Sequence, residues 1–137
     1  MKIRNQAFSL IEVLIVIAII ALLASLIVPV VKGNKDKANY EVSRVNLYEV
    51  GKAMEKHYLE VGRYPVFKSW DEVAAADSAL LEYLNDIPSA DAWGRPYRIL
   101  VSNETAYEFE GFGLEGKHKK DYPDYSLING PKFKKQK

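Results

Sequence analysis

Residues 8–31 have the sequence FSLIEVLIVIAIIALLASLIVPVV, whose only notable interruptions are Glu12 and Pro29. Residues 13–31 carry no charge. An α-helix rises about 1.5 Å per residue, so about 20 residues cross the roughly 30 Å hydrocarbon core of a bilayer. The stretch therefore predicts one apolar helix that is long enough to span a membrane.

The residues before this helix set its orientation. The segment MKIRNQA contains Lys2 and Arg4, and the next charge after the apolar run is Lys32. The positive-inside rule then places the N-terminus in the cytoplasm and everything after residue 31 outside. A secretory signal has its small residue after the apolar region, whereas Ala7 comes before it, so the mature chain keeps the helix. An uncleaved signal anchor would have the same topology.

The segment QAFSLIEVLIVIAIIALLASLIVPVV resembles the N-terminus of the type IV pilin-like family: a basic leader, a small residue, Phe, then an apolar helix with Glu at its fifth position. The resemblance implies that a prepilin peptidase cleaves between Ala7 and Phe8 and methylates the Phe8 amine. The family usually has Gly where this chain has Ala7. The resemblance also implies that Glu12 faces the Phe8 amine of a neighbouring subunit and fixes the axial register. Alternatively, Glu12 is an interfacial carboxylate that reaches the lipid headgroups.

The composition excludes several classes of protein. The 137 residues contain 19 Lys and Arg, 18 Asp and Glu, and no Cys. Loss of the leader would change the formal net charge from +1 to −1, which is not the charge balance of a nucleic-acid-binding protein. Without Cys there is no disulfide, thiol nucleophile or thiolate metal site. Roughly 100 residues follow the apolar helix, enough for one small domain with its own core.

The helix is expected to continue beyond the apolar run. Pro29 lacks an N–H and clashes with the carbonyl group of Ser25, which predicts a kink, although membrane helices also tolerate proline. Residues 32–61 predict an amphipathic helix with His57 at its surface or half-buried. Its apolar stripe is expected to pack on a sheet and consists of Tyr40, Leu47, Val50, Met54, Tyr58 and Val61.

A turn and a second, shorter helix are predicted next. Gly62 is expected to end the long helix, and GRYP at residues 62–65 is expected to form a turn. Ser69 and Glu72 have the spacing of a capping box, which predicts a helix to about residue 84. That helix would bury Val73, Leu80, Leu81 and Leu84. Residues 85–92 predict a loop.

The segment DAWGRPY at residues 91–97 predicts a loop held against the core. Gly94 permits a turn, and Pro96 can precede a strand. Trp93 is expected to anchor the loop, with its indole N–H bonded to an acceptor. Residues 97–101 and 106–112 predict two strands joined by a hairpin at 102–105. Their inward side chains would be Tyr97, Ile99, Val101, Tyr107 and Phe109.

The GRYP and DAWGRPY segments together resemble the major pseudopilins of type II secretion systems. In that family the second motif has Pro at the position of Ala92. The resemblance implies a structural role for the motif, namely for Asp91, Trp93, Gly94, Pro96 and Tyr97.

The C-terminal segment leaves two alternatives open. The resemblance implies a structural calcium ion held by Glu115, Asp121 and Asp124 together with backbone carbonyl groups. Calcium takes six to eight oxygen ligands, which such a loop can supply. Lys117, His118, Lys119 and Lys120 lie among these carboxylates, so an ordinary surface loop with local Lys–Asp pairs is the alternative. The basic tail is expected to be a disordered end and contains Lys132, Lys134, Lys135 and Lys137.

We therefore predict an α+β pilin or pseudopilin fold: a leader at 1–7, an apolar helix at 8–31, and a head at 32–137 built on a small antiparallel sheet. The resemblance implies a structural subunit of a type II secretion pseudopilus, in the inner membrane with its head in the periplasm and then in a filament. Implied partners are other copies, minor pseudopilins or pilins, the prepilin peptidase, an assembly ATPase and a membrane platform. No nucleic acid is implied.

Three other functions stay open at this point. A type IV pilin would form surface fibres for adhesion, motility or DNA uptake, although DAWGRPY and the lack of a Cys pair favour the pseudopilin. A monomeric membrane-anchored binding module would not depend on Glu12. An enzyme is not indicated, because no catalytic Ser/His/Asp order, His-rich metal cluster or phosphate loop is present.

Overall fold

The computed structural model describes residues 8–115 and 119–135 of the chain. A long helix, α1 (Leu10–Val61), is followed by the short helix α2 (Trp70–Val73) and a 3₁₀ turn (Ala79–Glu82). Four strands follow: β1 (Arg98–Ser102), β2 (Tyr107–Gly111), β3 (Tyr125–Ile128) and β4 (Lys132–Phe133). They form one antiparallel sheet in the order β1-β2-β3-β4. The predicted α+β fold, a long N-terminal helix and a small antiparallel sheet, is confirmed.

The chain divides into two compact units, one ending at Asp36 and one beginning at Lys37. In the first unit α1 is apolar and long enough to cross a membrane by length and composition. The large apolar side chains between residues 8 and 31 are 48% to 84% exposed. Pro29 lies inside the helix. The predicted boundary at residue 7 lies outside the described residues.

In the second unit, which we call the head, α1 packs on the sheet through the predicted stripe. Tyr40, Leu47, Val50 and Met54 are buried together with sheet residues such as Phe109. A Cβ on Gly51 would lie 2.6 Å from Leu127 Cδ2, so this glycine lets the sheet approach the helix backbone. Gly51 has no apolar side chain, so the hydrophobic pattern of the sequence did not predict this close contact.

The end of the stripe was predicted wrongly. Tyr58 and Val61 are 40% and 49% exposed. The last helical turn packs on the following turn instead of the sheet, with the Tyr58 ring 4.6 Å from that of Tyr64. Gly62 ends the helix as predicted, with φ +82°. His57 is half-buried as predicted, and its Nδ1 lies 2.9 Å from the Arg63 carbonyl oxygen.

The predicted helix to residue 84 is wrong, because α2 ends at Val73. Ser78 is extended, and its hydroxyl accepts from the Leu80 N–H to begin the 3₁₀ turn. A serine that bonds the backbone in this way competes with helix continuation. Ser69 is the N-cap residue as predicted, but the predicted capping box does not form: the Ser69 side chain makes no cap hydrogen bond, and Glu72 accepts from the N–H of Lys68 at 2.8 Å, one residue before the cap.

The hydrophobic pattern of that segment still predicted its core contacts. Val73 and Leu80 are buried, and Leu81 and Leu84 are partly buried against the same core. The short elements therefore place apolar side chains much as one helix would have done.

The β1–β2 hairpin was predicted with one wrong side chain. The register changes between Ile99 and Val101, a β-bulge that inserts one residue. Because side chains alternate faces along a strand, this insertion turns Val101 outward, and it is 37% exposed. Tyr97, Tyr107 and Phe109 are buried as predicted, and Ile99 packs partly buried against the core.

Strands β3 and β4 were not predicted. The prediction of a disordered tail is wrong for the first residues of that tail. Lys132 pairs with Ile128 in the sheet. The Lys134 N–H donates to the Ser126 carbonyl at 2.8 Å, and Lys134 Nζ lies 2.8 Å from Glu108 Oε1. The tail therefore completes the sheet up to this point. Lys137 lies outside the described residues.

Among the glycines in the described part of the chain, Gly113 is expected to be the least tolerant of a side chain. A Cβ there would overlap the Tyr122 carbonyl oxygen and lie 2.6 Å from the Pro123 carbonyl carbon. Gly113→Ala should lower the free energy of unfolding of the head by about 1–3 kcal/mol or more, since backbone must move. Thermal melting of the chain in detergent measures this. Gly33→Ala is the control, because a Cβ at Gly33 meets nothing within 4 Å; equal melting of the two variants would contradict the expectation.

Candidate functional site

The start of α1 places Glu12 in a local hydrogen-bond pair with Ser9. The Ser9 N–H donates to Glu12 Oε2 at 3.2 Å, and the Glu12 N–H donates to Ser9 Oγ at 3.3 Å. This reciprocal arrangement is a capping box, and a carboxylate in the first turn also interacts favourably with the helix dipole. The Ser-x-x-Glu spacing before an apolar run was available in the sequence, but the capping role of Glu12 was not predicted. Phe8 is 84% exposed beside it.

Two predicted site features are not tested by this geometry. Ala7 lies outside the described residues, so cleavage after it stays a prediction. The pairing of Glu12 with the Phe8 amine of a neighbour also stays a prediction.

The DAWGRPY loop is organised by the buried carboxylate of Asp91, whose side chain is 1% exposed. Its Oδ1 accepts from the N–H groups of Trp93 (3.0 Å) and Arg95 (2.8 Å). Its Oδ2 accepts from Arg95 Nε at 2.9 Å. Gly94 has φ +82°, the left-handed conformation expected for this turn. The carboxylate thus satisfies the backbone donors of a tight loop and pairs with one cation.

The loop is fixed to α1 through Ser43. The Ala92 N–H donates to Ser43 Oγ at 3.0 Å, and the Tyr97 hydroxyl donates to the Ser43 carbonyl oxygen at 2.7 Å. A proline at residue 92 has no N–H and could not make the first bond. The departure of Ala92 from the family motif therefore comes with its own hydrogen bond. Pro96 precedes Tyr97 and β1, as predicted.

The tryptophan that anchors the core is Trp70, and not Trp93 as predicted. Trp70 is 4% exposed, and its indole N–H donates to the Pro88 carbonyl oxygen at 2.8 Å. Trp93 packs partly buried against the core, with the Arg95 guanidinium 4.8 Å from its ring centroid. Both indoles hold the segment before β1, but the predicted buried indole hydrogen bond belongs to Trp70.

Glu55 of α1 joins three other parts of the head. Its carboxylate accepts from the hydroxyls of Tyr64 (3.0 Å) and Tyr107 (3.1 Å), and from the Gly130 N–H at 2.6 Å. Burial and then the bond to Glu55 raise the pKa of Tyr64 to about 12, from an ordinary value of 10.0. Burial and the nearby Glu55 charge also raise the pKa of Tyr107.

The raised tyrosine pKa predicts a loss of stability at high pH. The folded head holds the Tyr64 proton more tightly than the unfolded chain, so its contribution is complete below pH 10.0 and is lost as pH rises through about 12. The free energy of unfolding, measured by denaturant titration, should fall over that window. Tyr64→Phe should make this fall shallower, because Phe cannot ionise. Equal slopes in the two proteins would contradict the assignment.

The three predicted calcium ligands do not assemble in the described part of the head. Glu115 and Asp121 are exposed, and Asp124 Oδ1 accepts from the Gly113 N–H at 2.9 Å. Among residues 8–115 and 119–135, no group of three His, Cys, Asp or Glu is arranged to hold a metal ion. The described donors therefore do not fit the predicted site. Lys117 and His118 lie outside the described residues, and calcium binding stays a prediction.

Comparison with known proteins gives a match for the N-terminal apolar segment and another for most of the rest of the chain. Residues 2–28 match the prokaryotic N-terminal methylation motif, and residues 30–129 match the type II secretion system (T2SS) protein G family. A type II secretion system core protein G from Aeromonas hydrophila is 31% identical over 125 residues, which cover 84% of this chain and 87% of that protein.

Other relatives have the same name. The core protein G from Escherichia coli (strain K12) is 30% identical over 123 residues, 82% of this chain and 84% of its own length. The one from Vibrio cholerae serotype O1 is 30% identical over 108 residues, 72% of this chain and 73% of its own. No solved structure gives a significant match. The chain belongs to the type II secretion system protein G family, whose members are structural pseudopilins.

Proposed function

We propose that copies of this chain leave the inner membrane and stack helically, with apolar stems inside and heads outside, into a filament that drives protein export. As a protein G family member, the chain is a structural subunit of the type II secretion pseudopilus. The match over residues 30–129 carries this conclusion, and it favours the pseudopilus over a surface pilus.

The exposed stem supports assembly. Large apolar side chains at residues 8–31 are 48% to 84% exposed in the single chain, and water is an unfavourable environment for so continuous an apolar surface. A bilayer covers this surface before assembly, and the stems of neighbouring subunits cover it afterwards. The methylation-motif match over residues 2–28 supports the same inner-membrane anchor.

Glu12 supports a defined register between stems. Its carboxylate bonds to the Ser9 N–H in the single chain, which is a weaker partner than a full positive charge. After cleavage at Ala7, the Phe8 amine of an adjacent subunit would supply that charge. A carboxylate within an apolar surface needs such a partner. Two neighbouring stems can pair each Glu12 with a Phe8 amine at only one axial offset, so this pairing would fix the register.

The contacts within the head support a structural role. The charged groups of Asp91, Arg95 and Glu55 form hydrogen bonds that join different parts of the fold. His57 contacts a backbone carbonyl group. The prepilin peptidase, a membrane platform, an assembly ATPase and minor pseudopilins are the partners proposed from the family. Lys2 and Arg4 support a cytoplasmic N-terminus.

Mass spectrometry of the chain from membranes tests the processing step. Cells with the prepilin peptidase should contain a chain that begins at N-methylated Phe8, and cells without it should contain the unprocessed chain. An unmethylated, full-length chain in both strains would show an uncleaved anchor and remove the Phe8 amine from the assembly mechanism.

A further inference from the structure

The segment that follows β2 is closed around the guanidinium of Arg95. Arg95 Nη1 donates to the Gly113 carbonyl oxygen at 2.8 Å, and Nη2 donates to the Phe112 carbonyl oxygen at 2.7 Å. Nε donates to the buried Asp91 carboxylate at 2.9 Å. One cationic side chain thus joins the DAWGRPY loop to the start of the loop for which a calcium ion was expected.

The surroundings of Arg95 resemble those of a bound cation. Calcium sites in proteins combine carboxylates with backbone carbonyl oxygens, and the guanidinium here contacts one carboxylate and two carbonyl groups. The planar, permanently charged fork suits several fixed acceptors at once. The ring of Trp93 covers one side, 4.8 Å from the guanidinium carbon. These oxygens already have a positive partner from the chain itself.

The remaining contacts of this loop also come from the protein. Asp124 Oδ1 accepts from the Gly113 N–H at 2.9 Å, and the Leu114 N–H donates to the Tyr122 carbonyl oxygen at 2.8 Å. Lys119 and Lys120 are exposed in the same loop, and their charges oppose a divalent cation. Hydrogen bonds therefore close the described ends of the loop, where the family resemblance implies metal coordination.

We propose that Arg95 acts as the built-in cation of this loop, so that the head reaches its folded state without a bound calcium ion. Arg95 is a positioning residue: it holds the carbonyl groups of Phe112 and Gly113 against the Asp91 loop. A chelator cannot remove this cation, and its charge does not change over the pH range of a folded protein. The proposal concerns the stability of the head and is independent of the role of the chain in secretion.

Thermal melting of the full chain in detergent, with and without calcium, tests the proposal. Tryptophan fluorescence reports on the head alone, because both tryptophans, Trp70 and Trp93, lie after Lys37. An ion that binds only the folded state raises the melting temperature by mass action. The wild-type chain should therefore melt at the same temperature in EGTA and in excess CaCl₂. A higher melting temperature in CaCl₂ would overturn the proposal.

Arg95 variants supply the second arm. Arg95→Gln should melt about 5 °C or more below wild type in both buffers, because it loses the charge and the three-acceptor fork. Arg95→Lys keeps the charge but not the fork, and it should melt between the two. Arg63→Gln is the matched control, since Arg63 is an exposed arginine whose ion-pair partner Glu104 is also exposed. Melting of Arg95→Gln and Arg63→Gln at the same temperature would overturn the proposal; should Arg95→Gln not fold, Arg95→Lys and the calcium arm decide.

Discussion

Glu12→Ala is expected to leave the chain in the inner membrane and to abolish pseudopilus assembly and protein export. In the proposed filament, the substitution would leave the Phe8 ammonium of each neighbour without a counter-charge between apolar stems. Breaking a buried ion pair costs about 3–5 kcal/mol, and each 1.4 kcal/mol is about tenfold in an equilibrium constant, so each addition step should weaken by more than about a hundredfold. Export to the culture medium and the amount of chain in membranes are the two measurements.

Two control variants separate charge from helix capping. Glu12→Gln keeps the length of the side chain and removes the charge, so it should fail in export like Glu12→Ala. Ser9→Ala removes the hydroxyl that caps the Glu12 N–H and keeps the charge, so export should persist. Normal export by Glu12→Ala would point to a membrane-anchored protein that works as a monomer, and loss of export in Ser9→Ala would assign the role of Glu12 to its cap.

Asp91→Ala is expected to destabilise the head strongly. It removes the acceptor of the Trp93 and Arg95 N–H groups and the ion-pair partner of the Arg95 side chain. Removing a buried charged acceptor of several bonds costs about 2–4 kcal/mol. For a head of roughly 100 residues this corresponds to a fall of about 10 °C or more in melting temperature.

The matched control is Asp86→Ala, because Asp86 is an exposed aspartate in the segment just before the same loop. Exposed substitutions usually change stability by less than about 0.5 kcal/mol. Asp91→Asn should fall between the two, since the amide oxygen can still accept from backbone N–H groups while its NH₂ faces Arg95. An Asp91→Ala chain that melts with Asp86→Ala would show that the loop does not depend on this carboxylate.

The long helix could be predicted because its signals are local. Residues 13–31 carry no charge, the stripe from Tyr40 to Met54 has helical spacing, and Gly62 has the positive φ that ends the helix. The prediction failed at Tyr58 and Val61, since the pattern indicates an apolar face and not how far the sheet reaches along it.

The sheet was only partly predictable because strand pairing is a non-local property. The bulge at Ile99 and Val101 shifts one residue without any Gly or Pro to mark it. Strand β4 consists of Lys132 and Phe133, too short and too basic to be distinguished from a solvated tail. Its place in the sheet depends on pairing with β3, which the local composition does not indicate.

The assembly motif could be predicted from local sequence, whereas the contacts of the head loop could not. Phe8 and Glu12 belong to a motif of fixed order, and the family match over residues 2–28 agrees with it. The bonds from Arg95 to the Phe112 and Gly113 carbonyl groups join residues 17 and 18 positions apart. Every residue has a backbone carbonyl group, so the sequence does not show which of them accept these bonds. The resemblance implied a calcium ion at Glu115, Asp121 and Asp124, which stays a prediction, and it did not indicate that the Arg95 guanidinium bonds to the Phe112 and Gly113 carbonyl groups.

The most direct measurement of the central claim compares proteins in the culture medium of the parent strain, a strain lacking this chain, and the same strain complemented with it. The account predicts that a defined set of exported proteins disappears from the medium, that complementation restores it, and that surface fibres seen by electron microscopy are unchanged. An unchanged set of exported proteins together with missing fibres would contradict the account and identify the chain as a surface pilin.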